Sequence, residues 1–261
     1  MRLLDRGLTT IEAGMYKGVH DFRDVVVPES ITSIGASAFQ DCRNLNSVEM
    51  GGPVMELGVN AFNCCYDLRH VIMRKTHVKS IRENCFRGCV SLEDIALPAV
   101  LESIERGAFA GCRSLRDITI PMSVESIGAD SFSGCTSLQR IRFPEVMGSI
   151  GKNAFSDCES LKTCTLPYDL TYLPDGMFIR CRSLEEVILP EGMKQIGSNA
   201  FYGCVNLRAL TIPTTVRSIG KDAFKETHFQ EITLPRRMEY DNLEHTGLDF
   251  CHTLVKWDGA A

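Results

Sequence analysis

No stretch of this chain reaches the about 18 consecutive apolar residues of a membrane-crossing helix, so no membrane insertion is expected. Basic residues are not in excess. The 28 lysines and arginines face 33 aspartates and glutamates, a formal charge of -5, which argues against a nucleic-acid partner. The opening residues MRLLDRGLTTIEAG carry Asp5 and Glu12 and lack the apolar core of a secretory leader. There is no Asn-x-Ser/Thr triplet to glycosylate. Phosphate-cradling G-x-x-x-x-G-K, metal-binding H-E-x-x-H, nucleophile-elbow G-x-S-x-G and redox C-x-x-C patterns are all missing. No linker or low-complexity segment divides the chain.

What the chain has in abundance is repetition. Phe39, Phe62, Phe86, Phe109, Phe132, Phe155, Phe178, Phe201 and Phe224 recur every 23 residues, with one gap of 24. A fixed period in the twenties marks a solenoid, whose coils each bury one face only against the next. The stretch from Glu125 to Pro144, ESIGADSFSGCTSLQRIRFP, shows the unit clearly. Its tail, L-x-x-I-x-L, alternates with period two and stops at proline, as a short strand does. V-x-x-I-G ahead of it reads as a second short extended piece turned by glycine. A-F-x-x-C, too short for a full helix, is expected to form one helical or 3₁₀ turn. The phenylalanines then form one internal column, and the leucines from Leu45 to Leu207 another. The whole chain, 1–261, reads as a single domain of about ten repeats. Residues 236–261 form a capping half-repeat in which Leu248, Leu254 and Trp257 fold over the last coil as a lid.

The template L-x-x-I-x-L-P-x-x-V-x-S-I-G-x-x-A-F-x-G-C-x-S-L resembles leucine-rich repeats of the bacterial surface-antigen, or BspA-like, type. The clearest copies are Ser103-Ile104 to Pro121, Ser126-Ile127-Gly128 to Pro144 and Ile196-Gly197 to Pro213, and the likeness covers about residues 4 to 235. It departs from the pattern at Gly51 and Arg74, which hold the proline slot, and at an extra residue near His77. The resemblance implies a β-rich leucine-rich repeat solenoid of the α/β class. Its shape would be a right-handed arc with a parallel sheet on the concave side and short 3₁₀ or extended segments outside. It also implies protein or cell-surface binding. The family motif contains no catalytic residue.

Twelve cysteines invite a metal or redox reading, which their position opposes. Cys42, Cys65, Cys89, Cys112, Cys135, Cys158, Cys181, Cys204 and Cys251 share one slot, three residues after the phenylalanine or its equivalent. One column repeats a ligand every ~4.8 Å and does not enclose a tetrahedral zinc. A reduced ladder of small buried thiols is expected, with only Cys64 exposed. His245 with Cys251 and His252 is a weak metal pattern in an irregular end, and neither metal nor cofactor is expected.

The outward strand positions are where a partner would be met. One row runs Ser47, His70, Asp94, Asp117, Arg140, Thr163, Glu186, Ala209, and the next Glu49, Ile72, Ala96, Thr119, Arg142, Thr165, Ile188, Thr211. Arg140 and Arg142 share one strand, with Arg116, Asp117, Gln139, Lys162 and Glu186 around them. Arginine is enriched at binding hot spots, so these seven are the candidate contact patch. Asp94 and Asp117 fall in adjacent equivalent slots, the one feature that an acid–base enzyme could use. Glu93 between Arg69 and Arg116 makes a solvated charge ladder the better reading.

The expected function is a non-catalytic module or scaffold that binds another protein. The cell-surface alternative is an adhesin fragment. The lean is intracellular, because free thiols persist in reducing compartments. A second docking site is expected at the N-terminal edge, where Leu3 and Leu4 occupy strand slots of an incomplete first coil.

Overall fold

A computed structural model describes residues 7–73, 75–238 and 243–258. Leu3, Leu4 and Arg74 lie outside the described residues, and so does the proposed N-terminal edge they define. Among the described residues eleven longer strands, from Asp24–Val27 to Leu254–Asp258, alternate with ten two-residue strands, from Thr10–Ile11 to Ser218–Ile219, up to the last two longer strands, which follow one another. Every pairing between them is parallel and joins a strand to its equivalent in the next coil. The chain is thus a parallel β-solenoid of about eleven turns, with two strand columns and a third side made of turns.

Period two sets the faces. In Asp117–Thr119 and Arg140–Arg142 the middle isoleucine is buried and its neighbours are exposed. The register pairs Asp117 with Arg140 and Thr119 with Arg142, so both outward rows run as the sequence implies. Inside, the nine phenylalanines are no more than 1% exposed. From Phe39–Phe62 to Phe132–Phe155 the rings stack at 5.2–5.5 Å with planes within 10° of parallel.

The A-F-x-x-C segment is not the helical turn its length suggests. The amides of Ala38, Gln40 and Cys42 donate to carbonyls three residues back, while those of Ser37, Phe39 and Asp41 donate to Val59, Ala61 and Asn63 of the next coil at 2.8 Å. Alternate peptides face the neighbouring coil because Ser37 and Asp41 sit at φ 56 and 59, the left-handed region. Asn60, Asp130, Asn153 and Asp157 serve the same slots, and a short polar side chain makes that region cheaper. The segment therefore hydrogen-bonds from coil to coil as a strand would. Among the described residues 3₁₀ turns appear only near the end, at Arg236–Met238 and Glu244–Thr246.

Glycine follows six of the ten short strands among the described residues and there lets the coils approach closely; Glu12 and Glu105 hold the same slot without it, and Ile104 still pairs on both sides. A Cβ on Gly58 or Gly151 would lie 2.3 Å from the backbone nitrogen of the preceding coil. Arg82 and Pro174 replace that glycine, and the short column breaks at both: Leu57 does not pair with Ile81, nor Ile150 with Leu173. The longer column breaks three times, once between Arg140–Arg142 and Thr163–Thr165. Among the described residues, both columns are interrupted together only between these two coils. There Phe155 and Phe178 stand 6.3 Å apart and 23° off parallel.

Three bulky residues gather at this seam. Phe143 takes a slot held by isoleucine or leucine at Ile120 and Leu166, and packs edge-on against Phe155 at 5.6 Å. Pro174 takes the glycine slot, and Met177 the alanine slot held by Ala154 and Ala200. The turn side stays closed across the same boundary. Asn153, Phe155 and Asp157 donate backbone bonds to Asp175, Met177 and Ile179. Arg180 grips Asp157 through two nitrogens at 2.6 and 2.9 Å, and Lys152 reaches Asp175 at 2.8 Å.

The C-terminal segment covers the last coil as a strand, with Leu248 and Trp257 against the core and Leu254 turned out. Leu254–Asp258 pairs in parallel with all five residues of Glu231–Pro235 and adds an eleventh strand. Period two then turns Val255 and Trp257 inward and leaves Leu254 57% exposed, while Leu248 is buried.

Candidate functional site

The seven patch residues lie where the strand register puts them, and all are exposed. Their interactions divide them. The Nε of Arg140 donates to the Asp117 carboxylate at 2.6 Å. That carboxylate holds the Arg140 proton more tightly than usual. Among the described residues no ion pair reaches Arg116, Arg142, Lys162 or Glu186. Gln139 donates its backbone amide to Arg116 at 2.8 Å, whereas the equivalent bond from Lys162 to Gln139 stretches to 3.5 Å. The seam therefore runs through the patch, between Arg140–Arg142 and Lys162–Thr165.

The candidate carboxylate pair is turned apart. Asp94 bonds His70 Nδ1 at 2.8 Å, and Asp117 turns the other way to Arg140. Arg69 bonds Glu93 at 2.8 Å, so this part of the face is a ladder of exposed pairs. Such pairs are worth little to stability.

At the C-terminal end the possible metal residues are engaged separately. The His245 ring meets the Ile219 carbonyl at 2.9 Å, and His252 meets Asp249 at 2.7 Å. Cys251 is exposed rather than in the buried ladder, because its segment has slipped along the template, and Cys64 is half-buried rather than exposed. Eight ladder thiols, Cys42 to Cys204, instead donate to the phenylalanine-slot carbonyl of the preceding coil at 3.1–3.3 Å.

Beside the patch the seam opens into a cleft of about 560 Å³, lined by Arg140 to Glu145 and by residues of Thr163 to Tyr168. In the coils on either side, Val124 and Leu170 close a turn onto Pro121 and Pro167. Met147 does not close onto Pro144; its amide bonds Asp169 Oδ1 at 2.8 Å, while Tyr168 donates to the Glu145 carbonyl. Ile120 and Leu166 each give a ladder bond to the next strand, and among the described residues Phe143 gives none. Phe143 and Tyr168 are site residues that slot-by-slot reading of the outward rows does not reach. Their signal was a bulky side chain in a slot that is otherwise aliphatic and an exposed tyrosine after a proline.

A parallel β-solenoid with a 23-residue coil, a phenylalanine stack and a thiol ladder defines a class of repeat protein. Residues 9–137 and 102–231 both match the BspA type leucine rich repeat region of six copies. The chain belongs to that family. Among solved structures, it is similar to a leucine-rich repeat protein from Bacteroides ovatus at 29% identity and a TM-score of 0.76, over 90% of this chain and 60% of that one. It thus spans only 60% of that protein's length. A T. pallidum leucine-rich repeat protein is 27% identical over 83% of this chain and 80% of its own, with a TM-score of 0.52. No curated protein matches the chain at a significant level. Leucine-rich repeat proteins generally mediate protein interaction, and the family and these neighbours are non-enzymatic repeat proteins.

Proposed function

We propose that the chain is a non-catalytic module that holds another protein on its longer-strand face, centred on Arg140 and Arg142. The observation that carries this reading is the exposed group Arg116, Arg142, Lys162 and Glu186, charged and, among the described residues, without ion-pair partners, gathered on the longer-strand face on both sides of the seam. Arginine at such a position offers several donors in one plane, which suits carboxylates and carbonyls of a partner. Arg140→Glu combined with Arg142→Glu should weaken capture of the native partner by roughly tenfold or more, a loss of about 1.4 kcal/mol. Both side chains are exposed, so the melting temperature should hardly move. Equal capture by the double variant and the native chain would remove the patch.

A further inference from the structure

We infer that the seam cleft is a docking slot for an extended, acidic segment of a partner protein that carries aliphatic or aromatic side chains beside its carboxylates. The inference rests on the binding role just proposed and adds a place and a chemistry to it.

Charge complementarity points to the acid. Two arginines stand on the rim, and Glu145 is the one acid in the lining. Arg142 has no partner among the described residues, and Arg140 is engaged through Nε only, which leaves its two terminal nitrogens for a ligand. Guanidinium–carboxylate bonds are short and directional, so two such groups two positions apart on one strand select oxygen pairs. The walls call for apolar neighbours. Phe143, Leu166 and Pro167 form them, and Tyr168 is 64% exposed at the mouth.

The shape points to an extended occupant. The cleft runs alongside two neighbouring strands, Arg140–Arg142 and Thr163–Thr165, so an extended chain can lie along it. Single exposed apolar residues are ordinary, but Tyr168, 64% exposed, stands in the cleft lining itself. The cleft has a structural cause. Phe143 and Pro174 stand where the two strand columns are interrupted, while Asp157–Arg180 and Lys152–Asp175 keep the turn side closed.

Random peptides displayed on phage and panned against the purified full chain test this. Enriched sequences should carry Asp or Glu next to Leu, Phe or Trp. Synthetic copies should lose roughly tenfold or more in affinity toward Tyr168→Ala and toward Arg142→Glu, each with an unchanged melting curve. Arg116→Glu with Lys162→Glu, which alters the strand face beside the cleft, should cost the peptides less affinity than Tyr168→Ala or Arg142→Glu does. Enrichment without acidic residues, no enrichment, or equal binding to Tyr168→Ala overturns the slot. Peptides lost only with Arg116→Glu and Lys162→Glu overturn it too, and leave the face as the binding surface. If native-partner capture survives Arg140→Glu with Arg142→Glu while the peptides still need Tyr168, the slot stands and the strand-face reading falls.

Discussion

Ser131 is the residue that fits its slot least well. It stands where Ala38, Ala61, Ala108 and Ala154 stand in other coils, is fully buried, and its hydroxyl has no hydrogen-bond partner. Its backbone carbonyl accepts from Phe109 at 2.7 Å, so the main chain needs nothing from the side chain. A buried hydroxyl without a partner costs about 1–3 kcal/mol. Ser131→Ala should therefore raise stability by roughly 1 kcal/mol in a denaturant titration, with no change in the slope that reports exposed surface. A loss of stability would mean that the hydroxyl has a partner after all. At the same scale, the faces of the strands were legible from single residues. The alternation in Asp117–Thr119 or Arg140–Arg142 leaves one answer, since a slip by one would turn an arginine into the core. Cys251 was misread for a related reason. Its spacing of three after Leu248, which holds the phenylalanine slot, placed it in the ladder, but Cys251 is exposed and the following strand is offset.

At the scale of the element, what repeats could be read, and what deviates could not. The template set out both strand columns because its glycine, isoleucine and leucine slots recur coil after coil. The turn side was misjudged because its alternate bonding depends on left-handed residues such as Ser37 and Asp41, which the apolar pattern does not register. The seam was visible only as three departures, at Phe143, Pro174 and Met177. Each looks tolerable alone; their effect comes from falling on the same boundary. The close approach at glycine gives this a direct check. Gly151→Ala puts a Cβ 2.3 Å from the Ala129 nitrogen, where backbone must yield rather than a side chain. It should cost about 1–3 kcal/mol. It should also speed amide exchange at Gly151 itself, which now donates to Ile127 at 2.7 Å. Unchanged exchange there would show that glycine does not set the coil spacing.

For the whole molecule, the thiol ladder ties stability to alkaline pH. All ten buried cysteines have pKa values raised by burial, Cys42, Cys135 and Cys164 to about 12, against an ordinary value of 9.0. Above pH 9 the unfolded chain gives up these protons and the folded chain keeps them. The stabilisation is therefore complete below that value and falls as the pH climbs toward 12. Each thiol withdraws about 1.4 kcal/mol for every pH unit beyond its unfolded pKa. Ten together approach, by about pH 10, the 5–15 kcal/mol that holds a typical domain folded. Circular dichroism with a reductant present should show unfolding near that pH, and replacing Cys112 and Cys135 by alanine should move the midpoint upward. A chain still folded at about pH 11 would contradict the linkage.

The seam also makes the molecule divisible. Six of the longer strands precede it and five follow, each group beyond the about three repeats that a stack needs to sustain itself. Only one strand of polypeptide crosses between them, through the turn at Glu159 and Ser160, ahead of the buried Leu161. A chain severed in that turn becomes a two-piece protein. Its halves keep their own interiors and recognise each other through the clasp of Asp157 with Arg180 and Lys152 with Asp175.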